Sequence, residues 1–279
     1  MQRRNFLQKG ILAGASTLVG SAAFAIGNKN EKGNGPLAEK TFNLNYGPHD
    51  GMFKNSGGND FIDQIKYMYD QGFRSIEDNG MTGRSAEQQA KIGQTLSRLG
   101  MTMGVFVEVA KRVNAKWVTV VPGDFERHLP IGVQTGHVID ALKRGAEILE
   151  PHGIIMVLEP LSDTPDLFLR TSDQTYEICR GVGSPSCKLL YDIYHMQKNE
   201  GNLIKNIEWT WDEIAYFQIG DNPGRKEPTT GEINYKNIFK YIYDRGYRGV
   251  MGMEHGNSKP GKEGEQALIK AYRESDNFL

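Results

Sequence analysis

Eight short β-rich runs alternate with helical stretches along most of this 279-residue chain. The predicted strands are residues 41–46, 74–77, 101–107, 116–121, 153–158, 187–191, 214–219 and 249–253. The stretches between them carry apolar residues three and four positions apart, as at Phe61, Ile65 and Met68, which is the pattern of an amphipathic helix. Strands that alternate with helices pair in parallel, and eight such units predict an α/β fold, a closed (β/α)8 TIM barrel in a single domain.

A doubly wound parallel sheet is the alternative fold. Its first strand leads into a Gly-rich phosphate loop, and this sequence has none after residues 41–46. Within the barrel, the third repeat is unusual, because about seven residues separate Val107 from Ala115, whereas a crossover between parallel strands takes at least about 10–12. We therefore predict a shortened third βα unit, whose helix is a stub or is displaced.

The first residues have the features of an export signal. Arg3 and Arg4 precede an apolar run that closes on the small residues Ala23 and Ala25. The paired arginines resemble a twin-arginine signal, and the alternative is an ordinary secretory signal with two chance arginines. We predict a signal peptide at residues 1–25, a flexible linker at 26–40 and the barrel domain at 41–279. The mature protein is expected in the periplasm or otherwise exported, with no membrane span.

Charge and cysteine content narrow the range of partners. A formal net charge of −1 offers no basic surface to a phosphate backbone, so no nucleic acid partner is expected and a small polar substrate is. Cys179 and Cys187 are predicted to be free thiols, because two cysteines make no disulfide framework for a chain of this length. No oligomeric state is predicted.

Four consecutive predicted strands end on a residue with a side-chain oxygen. These residues are Glu159, Asp192, Gln218 and Glu254. The carboxyl ends of TIM-barrel strands surround the active site, so the four side chains are expected to converge. Three carboxylates held close together repel one another unless a cation offsets their charge. An all-oxygen ligand set favours a hard divalent ion, and we predict a site for Mg²⁺ or Mn²⁺.

Other polar residues lie in loops beside the predicted site. His195, three positions after Asp192, is interpreted as a further metal ligand, a donor to a ligand, a substrate contact or a structural histidine. Arg225 and Lys226 follow the seventh strand and are predicted to hold a substrate carboxylate, since a guanidinium fork matches that geometry. Further substrate-binding candidates are His49 and Glu232.

Four segments of the sequence resemble the hydroxypyruvate isomerase family, within the xylose-isomerase-like barrel superfamily. They are VLEP, YDIYHMQ, QIGDNPGRKEP followed by TGEINY, and GMEHG. The resemblance spans roughly Phe42 to the C-terminus, and the stretch from GRKEP to TGEINY is its most specific part. It implies that the four strand-end residues bind a metal and that Glu159 and Glu254 form the acid/base pair. Thr229 departs from the family pattern, which has a glycine there.

The residues and the resemblance together predict a metal-dependent isomerase of a small sugar or keto acid. Such an enzyme moves a carbonyl between neighbouring carbons through an enediolate, using a base to remove one proton and an acid to return another. The alternatives are a sugar epimerase of the same superfamily, a metal-free glycosidase using Glu159 and Glu254, and a non-catalytic exported sugar-binding barrel. An endonuclease would need a histidine-rich zinc site and a basic groove, which this sequence does not offer.

Overall fold

The computed structural model describes residues 40–104 and 115–279, and its strands all pair in parallel. The strands are β1 (Asn45–Gly47), β2 (Ser75–Ile76), β3 (Thr102–Met103), β4 (Trp117–Val120), β5 (Ile155–Leu158), β6 (Cys187–Asp192), β7 (Ile214–Ile219) and β8 (Val250–Met253). Six of them form a sheet in the order β1-β8-β7-β6-β5-β4, and β2 pairs with β3. The Glu77 amide donates to the Pro48 carbonyl at 3.0 Å, which joins β1 to β2.

This strand order confirms the predicted TIM barrel. The strands follow one another in sequence order, and β1 lies between β8 and β2, whereas a doubly wound sheet reverses its strand order at one point. No pairing joins β3 to β4 within the described residues, and residues 105–114 between them lie outside those residues. The predicted shortening of the third βα unit falls on that segment and stays a prediction.

The first strand begins later than predicted. Residues 41–44 are not in a strand, because two backbone amides there bond to the last helix instead of to a neighbouring strand. Asn43 donates to Asp276 Oδ2 at 2.7 Å and Leu44 donates to Asp276 Oδ1 at 3.3 Å. The predicted strands at 74–77, 116–121, 153–158 and 249–253 are one or two residues shorter at one or both ends, 187–191 extends to Asp192, and 214–219 agrees with the structure. The third strand is described at Thr102–Met103, and residues 105–107 of its predicted range lie outside the described residues.

Nine helices are described, and local sequence explains several of their ends. They are α1 (Lys54–Gly57), α2 (Phe61–Asp70), α3 (Ala86–Leu99), α4 (Ile131–Leu149), α5 (Ser172–Val182), α6 (Ile193–Asn199), α7 (Leu203–Thr210), α8 (Tyr235–Asp244) and α9 (Gly261–Asp276). The α3 helix begins with a capping box of Ser85 and Gln88 and ends at Gly100, whose φ of 65° is left-handed. In the described part of the chain, no helix is both long and apolar enough to cross a membrane.

The strands bury side chains on both faces. The larger apolar cluster joins strand residues such as Leu189 and Phe217 to the helices. A smaller cluster contains alternate strand residues, among them Trp117, Leu190 and Tyr216, and fills the barrel interior. Both cysteines are buried free thiols, as predicted.

The loop after β7 contains backbone conformations that its sequence does not favour. Arg225 and Thr229 have φ angles of 49° and 74°, in the left-handed region where glycine is preferred. Thr229 is the residue at which the resemblance noted in the sequence led us to expect a glycine. Its positive φ is a conformation that glycine adopts without steric cost, which is a physical reason for that expectation.

Candidate active site

Five polar residues lie at or just after the carboxyl ends of five strands. They are Glu77 after β2, Glu159 after β5, Asp192 at the end of β6, Gln218 near the end of β7 and Glu254 after β8. The Glu254 side chain retains 29% exposure, whereas the other four residues are buried. Four of the five are the predicted metal ligands, and Glu77 is an addition from the structure.

Asp192 both caps a helix and faces the site. Its Oδ1 accepts hydrogen bonds from the backbone amides of Tyr194 at 2.7 Å and His195 at 3.2 Å, and these bonds begin α6. Its Oδ2 lies 3.6 Å from His195 Nε2. Ligand atoms of Glu159, Asp192 and His195 all lie within 4.8 Å of one another. Asp192 therefore uses Oδ1 to cap the helix that follows β6, while its Oδ2 faces the other polar residues of the site.

The hydrogen bonds of His195 assign its tautomer. The backbone amide of Ser162 donates to His195 Nδ1 at 3.1 Å, and the Ser162 hydroxyl lies 2.8 Å from the same nitrogen. Nδ1 is therefore an acceptor, and in the neutral ring the proton is on Nε2. Burial lowers the pKa of His195, which favours the neutral ring. A nitrogen that carries a proton does not ligate a metal, so in this tautomer His195 Nε2 is a free donor 3.6 Å from Asp192 Oδ2, without a hydrogen-bond partner among the described residues.

Arg225 lies among the carboxylates. Its Nη2 is 2.9 Å from Glu254 Oε2 and 3.4 Å from Asp192 Oδ2, and its Nε donates to the Glu254 backbone carbonyl at 3.1 Å. The guanidinium also lies 5.0 Å from the ring centroid of Tyr194. Arg225 therefore contacts two protein carboxylates, and it reaches the same site in which a substrate carboxylate was expected.

Glu77 and Gln218 form a buried pair beneath the site. Gln218 Nε2 donates to Glu77 Oε1 at 2.8 Å, and the Tyr216 hydroxyl donates to Glu77 Oε2 at 2.8 Å. Gln218 Oε1 is buried without a hydrogen-bond partner among the described residues. The predicted second strand, residues 74–77, also ends on a side-chain oxygen, that of Glu77. Glu77 was not among the predicted ligands because only the ends of four consecutive strands were considered.

Glu159 and Glu254 hold protons more tightly than isolated glutamates do. Burial, then the charges of Glu254 and Asp192, raise the pKa of Glu159 well above its usual value. Burial, then Asp192 and Glu77, raise the pKa of Glu254 to about 8. A divalent cation would relieve this repulsion and would also supply a partner for Gln218 Oε1. The donor set therefore fits the hard metal ion predicted from sequence.

Three predicted substrate-binding residues lie around the rim. A Cβ at Gly256 would lie 2.9 Å from Lys226 Nζ, so this ammonium group lies beside the β8 loop. The ring nitrogens of His49 lie 2.8 Å from the Asp50 carbonyl and 3.0 Å from the His255 carbonyl. Glu232 is an exposed residue whose Oε1 accepts hydrogen bonds from Gln197 and Asn222. None of the three has an ion pair with the strand-end carboxylates among the described residues.

Fold and site together define a TIM barrel with a cluster of carboxylates at the carboxyl ends of its strands. Residues 102–275 match the sequence profile of the family described as xylose isomerase-like TIM barrel. The chain belongs to this family.

Several curated relatives carry the name that the sequence motifs suggested. The chain is 38% identical over 120 residues to hydroxypyruvate isomerase of Escherichia coli (strain K12), covering 42% of this chain and 46% of that protein. It is 28% identical over 194 residues to 2-oxo-tetronate isomerase of Cupriavidus necator, covering 69% and 70%. For the first of these and several others, the match spans about half the length of the relative.

Solved structures share the fold at low sequence identity. An AP endonuclease of family 2 from Brucella melitensis has a TM-score of 0.69 at 20% identity, covering 79% of this chain and 96% of that one. A D-psicose 3-epimerase with D-fructose has a TM-score of 0.64 at 17% identity, covering 82% and 90%. These similarities establish the barrel fold.

Proposed function

We propose that the chain is a divalent-metal-dependent isomerase of a small sugar or keto acid. The observation that carries the proposal is a buried Gln218 Oε1 that has no hydrogen-bond partner among the described residues. It belongs to a residue at the same ends of the strands as Glu159 and Glu254, whose pKa values are raised. An oxygen acceptor and several crowded carboxylates are what a hard cation requires. The names of the relatives, hydroxypyruvate isomerase and 2-oxo-tetronate isomerase, support the reaction class.

The proposed metal ligands are Glu159, Asp192, Gln218 and Glu254, with Mg²⁺ or Mn²⁺ as the ion. When bound, a divalent ion supplies positive charge that stabilises the negative oxygen of an enediolate, an effect worth several kcal/mol. Proton transfer and substrate binding are assigned to side chains of the protein.

Glu159 and Glu254 are the proposed acid/base pair. They follow β5 and β8, which are different strands of the barrel, so they approach a substrate from different sides. A carboxyl group with a raised pKa accepts and returns a proton near neutral pH more readily than an ordinary one, and such catalysis contributes roughly 10²- to 10⁴-fold. In the proposal, one glutamate removes the proton alpha to the carbonyl, the proton of the neighbouring hydroxyl passes to the former carbonyl oxygen, and the other glutamate returns a proton to the former carbonyl carbon. The two glutamates then regain their starting protonation by exchange with solvent.

His195 and Arg225 have proposed roles in holding the substrate. The proton on His195 Nε2 can be donated to an oxygen of a substrate bound at the site, because this nitrogen is buried and has no hydrogen-bond partner among the described residues. The Arg225 guanidinium keeps Glu254 and Asp192 in place and can share its charge with a substrate oxygen. Lys226, His49 and Glu232 are proposed contacts at the rim.

The experiment that tests the function is exchange of substrate C–H with solvent deuterium, followed by NMR. A panel of keto and aldo sugars and keto acids is incubated in D₂O with the protein and Mn²⁺, with an EDTA-treated sample as the control. Exchange that requires Mn²⁺ supports the proposal, and the product then distinguishes an isomerase from an epimerase. Absence of exchange across the panel, with binding intact, would favour a non-catalytic sugar-binding barrel; activity on glycosides in EDTA would favour a metal-free glycosidase.

We also propose that the chain is exported through a twin-arginine signal at residues 1–25. Arg3 and Arg4 and the apolar run that follows them support this proposal. Export would place the enzyme outside the cytoplasm, where sugars and sugar acids are more accessible substrates than central metabolites.

A further inference from the structure

Glu77 is a buried carboxylate without a role in the chemistry proposed above. It follows β2, is 2% exposed, and lies within the barrel beneath the site. Both of its oxygens accept hydrogen bonds, one from the Tyr216 hydroxyl and one from the Gln218 side-chain amide, each at 2.8 Å. Because a carboxylate accepts hydrogen bonds and donates none, the atom of Gln218 that faces Glu77 is the nitrogen.

We propose that Glu77 is a positioning residue that fixes the Gln218 amide with Oε1 turned toward the metal site. The inference rests on the proposed function, because it assumes that Gln218 Oε1 is a metal ligand. With Nε2 held by Glu77, Oε1 is left buried and unpartnered among the described residues, as an oxygen ligand requires. Glu77 thus acts on the metal through Gln218 and does not contact the metal or the substrate.

An amide ligand needs such a partner for a physical reason. The oxygen and nitrogen ends of a glutamine side chain have nearly the same shape, so packing alone does not choose between them. If the amide turned over, two N–H donors would face the cation in place of an oxygen. Groups that orient a metal ligand in this way typically affect metal affinity by roughly 10- to 100-fold.

The neighbouring strands leave room for this arrangement. A Cβ at Gly252 in β8 would overlap Glu77 Oε2. A Cβ at Gly104, just after β3, would overlap the Tyr216 hydroxyl that holds the same oxygen. Glycine at both positions therefore allows the carboxylate and the tyrosine to meet in the barrel interior.

The test is a double-variant cycle on the full-length chain, with Mn²⁺ affinity as the readout. Metal is removed with EDTA, and Mn²⁺ is titrated by calorimetry or by electron paramagnetic resonance at neutral pH. We expect Glu77→Gln to weaken Mn²⁺ binding at least about tenfold, because an amide at this position can hold the Gln218 side chain in either orientation. Wild-type affinity in a folded Glu77→Gln variant would overturn the inference.

The reciprocal swap separates positioning from simple loss of charge. In the double variant, Glu77→Gln with Gln218→Glu, the new amide donates to the new carboxylate, so the hydrogen bond is restored and the total charge is unchanged. We expect it to bind Mn²⁺ at least as tightly as the wild type. If the changes in log Kd of the two single variants simply add to that of the double variant, the two residues do not act together and the inference is wrong.

Tyr216→Phe is the matched control, because it removes the other hydrogen bond of Glu77 and leaves the bond to Gln218. We expect its Mn²⁺ affinity to stay within about threefold of the wild type. A loss equal to that of Glu77→Gln would mean that packing of the whole cluster, and not the amide orientation, sets the affinity.

A measurement on the wild type does not depend on any variant folding. In protein labelled with ¹⁵N-glutamine, the Gln218 side-chain NH₂ protons should exchange slowly with solvent both before and after Mg²⁺ is added. Faster solvent exchange of these protons after Mg²⁺ is added would overturn the inference. A wild-type chain that bound neither Mn²⁺ nor Mg²⁺ would overturn the proposed function itself, which is a different result from any of those above.

Discussion

Arg225 Nη2 lies 2.9 Å from Glu254 Oε2, so a fixed positive charge contacts one of the two proposed acid/base carboxylates. The same nitrogen lies 3.4 Å from Asp192 Oδ2. Arg225 adopts a φ of 49° in the loop after β7. This single residue therefore links the carboxyl ends of β6 and β8, and it offsets part of their charge before any metal binds.

Replacing Arg225 with glutamine is expected to destabilise the metal-free protein. The change leaves Asp192 and Glu254 without their counter-charge, at a cost of about 2 kcal/mol, or roughly 4–8 °C in Tm. Mn²⁺ should recover most of the loss, because it offsets the same carboxylates. Thermal melts in EDTA and in Mn²⁺ measure both effects. Lys226→Gln is the control: it removes a charge one residue away, and a Tm loss as large as that of Arg225→Gln would contradict the prediction.

Substitutions of the two glutamates and of Asp192 are expected to affect different steps, proton transfer and metal binding respectively. Glu254→Gln and Glu159→Gln keep an oxygen for the metal but lose the basic oxygen, so C–H exchange should fall by about 10²- to 10⁴-fold while metal affinity falls modestly. Asp192→Asn should lower the exchange rate mainly by weakening metal binding, and excess Mn²⁺ should partly restore that rate. Exchange rates are measured at saturating Mn²⁺. Near wild-type rates in both glutamine variants would rule out the paired-carboxylate mechanism.

His195 is expected to serve catalysis without ligating the metal. His195→Gln can place a donor near the position of Nε2, whereas His195→Asn reaches only the position of Nδ1. Both variants should bind Mn²⁺ within about threefold of the wild type, and the asparagine variant should lose more turnover, by roughly 10-fold or more. If His195→Asn lost Mn²⁺ binding as strongly as Asp192→Asn, the ring would be a ligand and the assigned tautomer would be wrong.

Stabilisation of the protein by Mn²⁺ is expected to grow with pH. The folded pKa of Glu254, about 8, lies above its ordinary value, so the folded state holds a proton there that the unfolded state releases. Its contribution to stability is present at low pH and is lost as pH rises through about 8 in the metal-free protein. Mn²⁺ competes with that proton. The gain in Tm on adding Mn²⁺ should therefore be larger above this pKa than well below it, and the opposite trend would contradict the pKa direction.

The export signal is expected to depend on its paired arginines. Replacing Arg3 and Arg4 together with lysine should leave the chain in the cytoplasm of a bacterial host, because twin-arginine signals are read by a receptor specific for the pair. Fractionation of periplasm and cytoplasm measures the outcome. Lys9→Ala, which alters a nearby basic residue outside the pair, should leave export unchanged. Normal export of the double-lysine variant would favour an ordinary secretory signal.

The amino-acid sequence alone determined the fold class and most of the candidate site. Strand and helix periodicity are local, and in a parallel barrel the carboxyl end of each strand is known to face the site. Together these two facts identified Glu159, Asp192, Gln218 and Glu254. The position of Thr229 was also visible as a departure from a family pattern, although its cause, a positive φ, appeared only in the structure.

Only the tertiary structure decided how these side chains act on one another. The pairing of Glu77 with Gln218, the contact of Arg225 with Glu254, and the proton position on His195 depend on hydrogen bonds between residues from different elements of the fold. The late start of β1 has the same origin, since Asp276, near the other end of the chain, binds the amides of Asn43 and Leu44. Sequence periodicity indicates which face of a helix or strand is buried. Which side chains meet across the barrel interior depends on how the elements pack against one another.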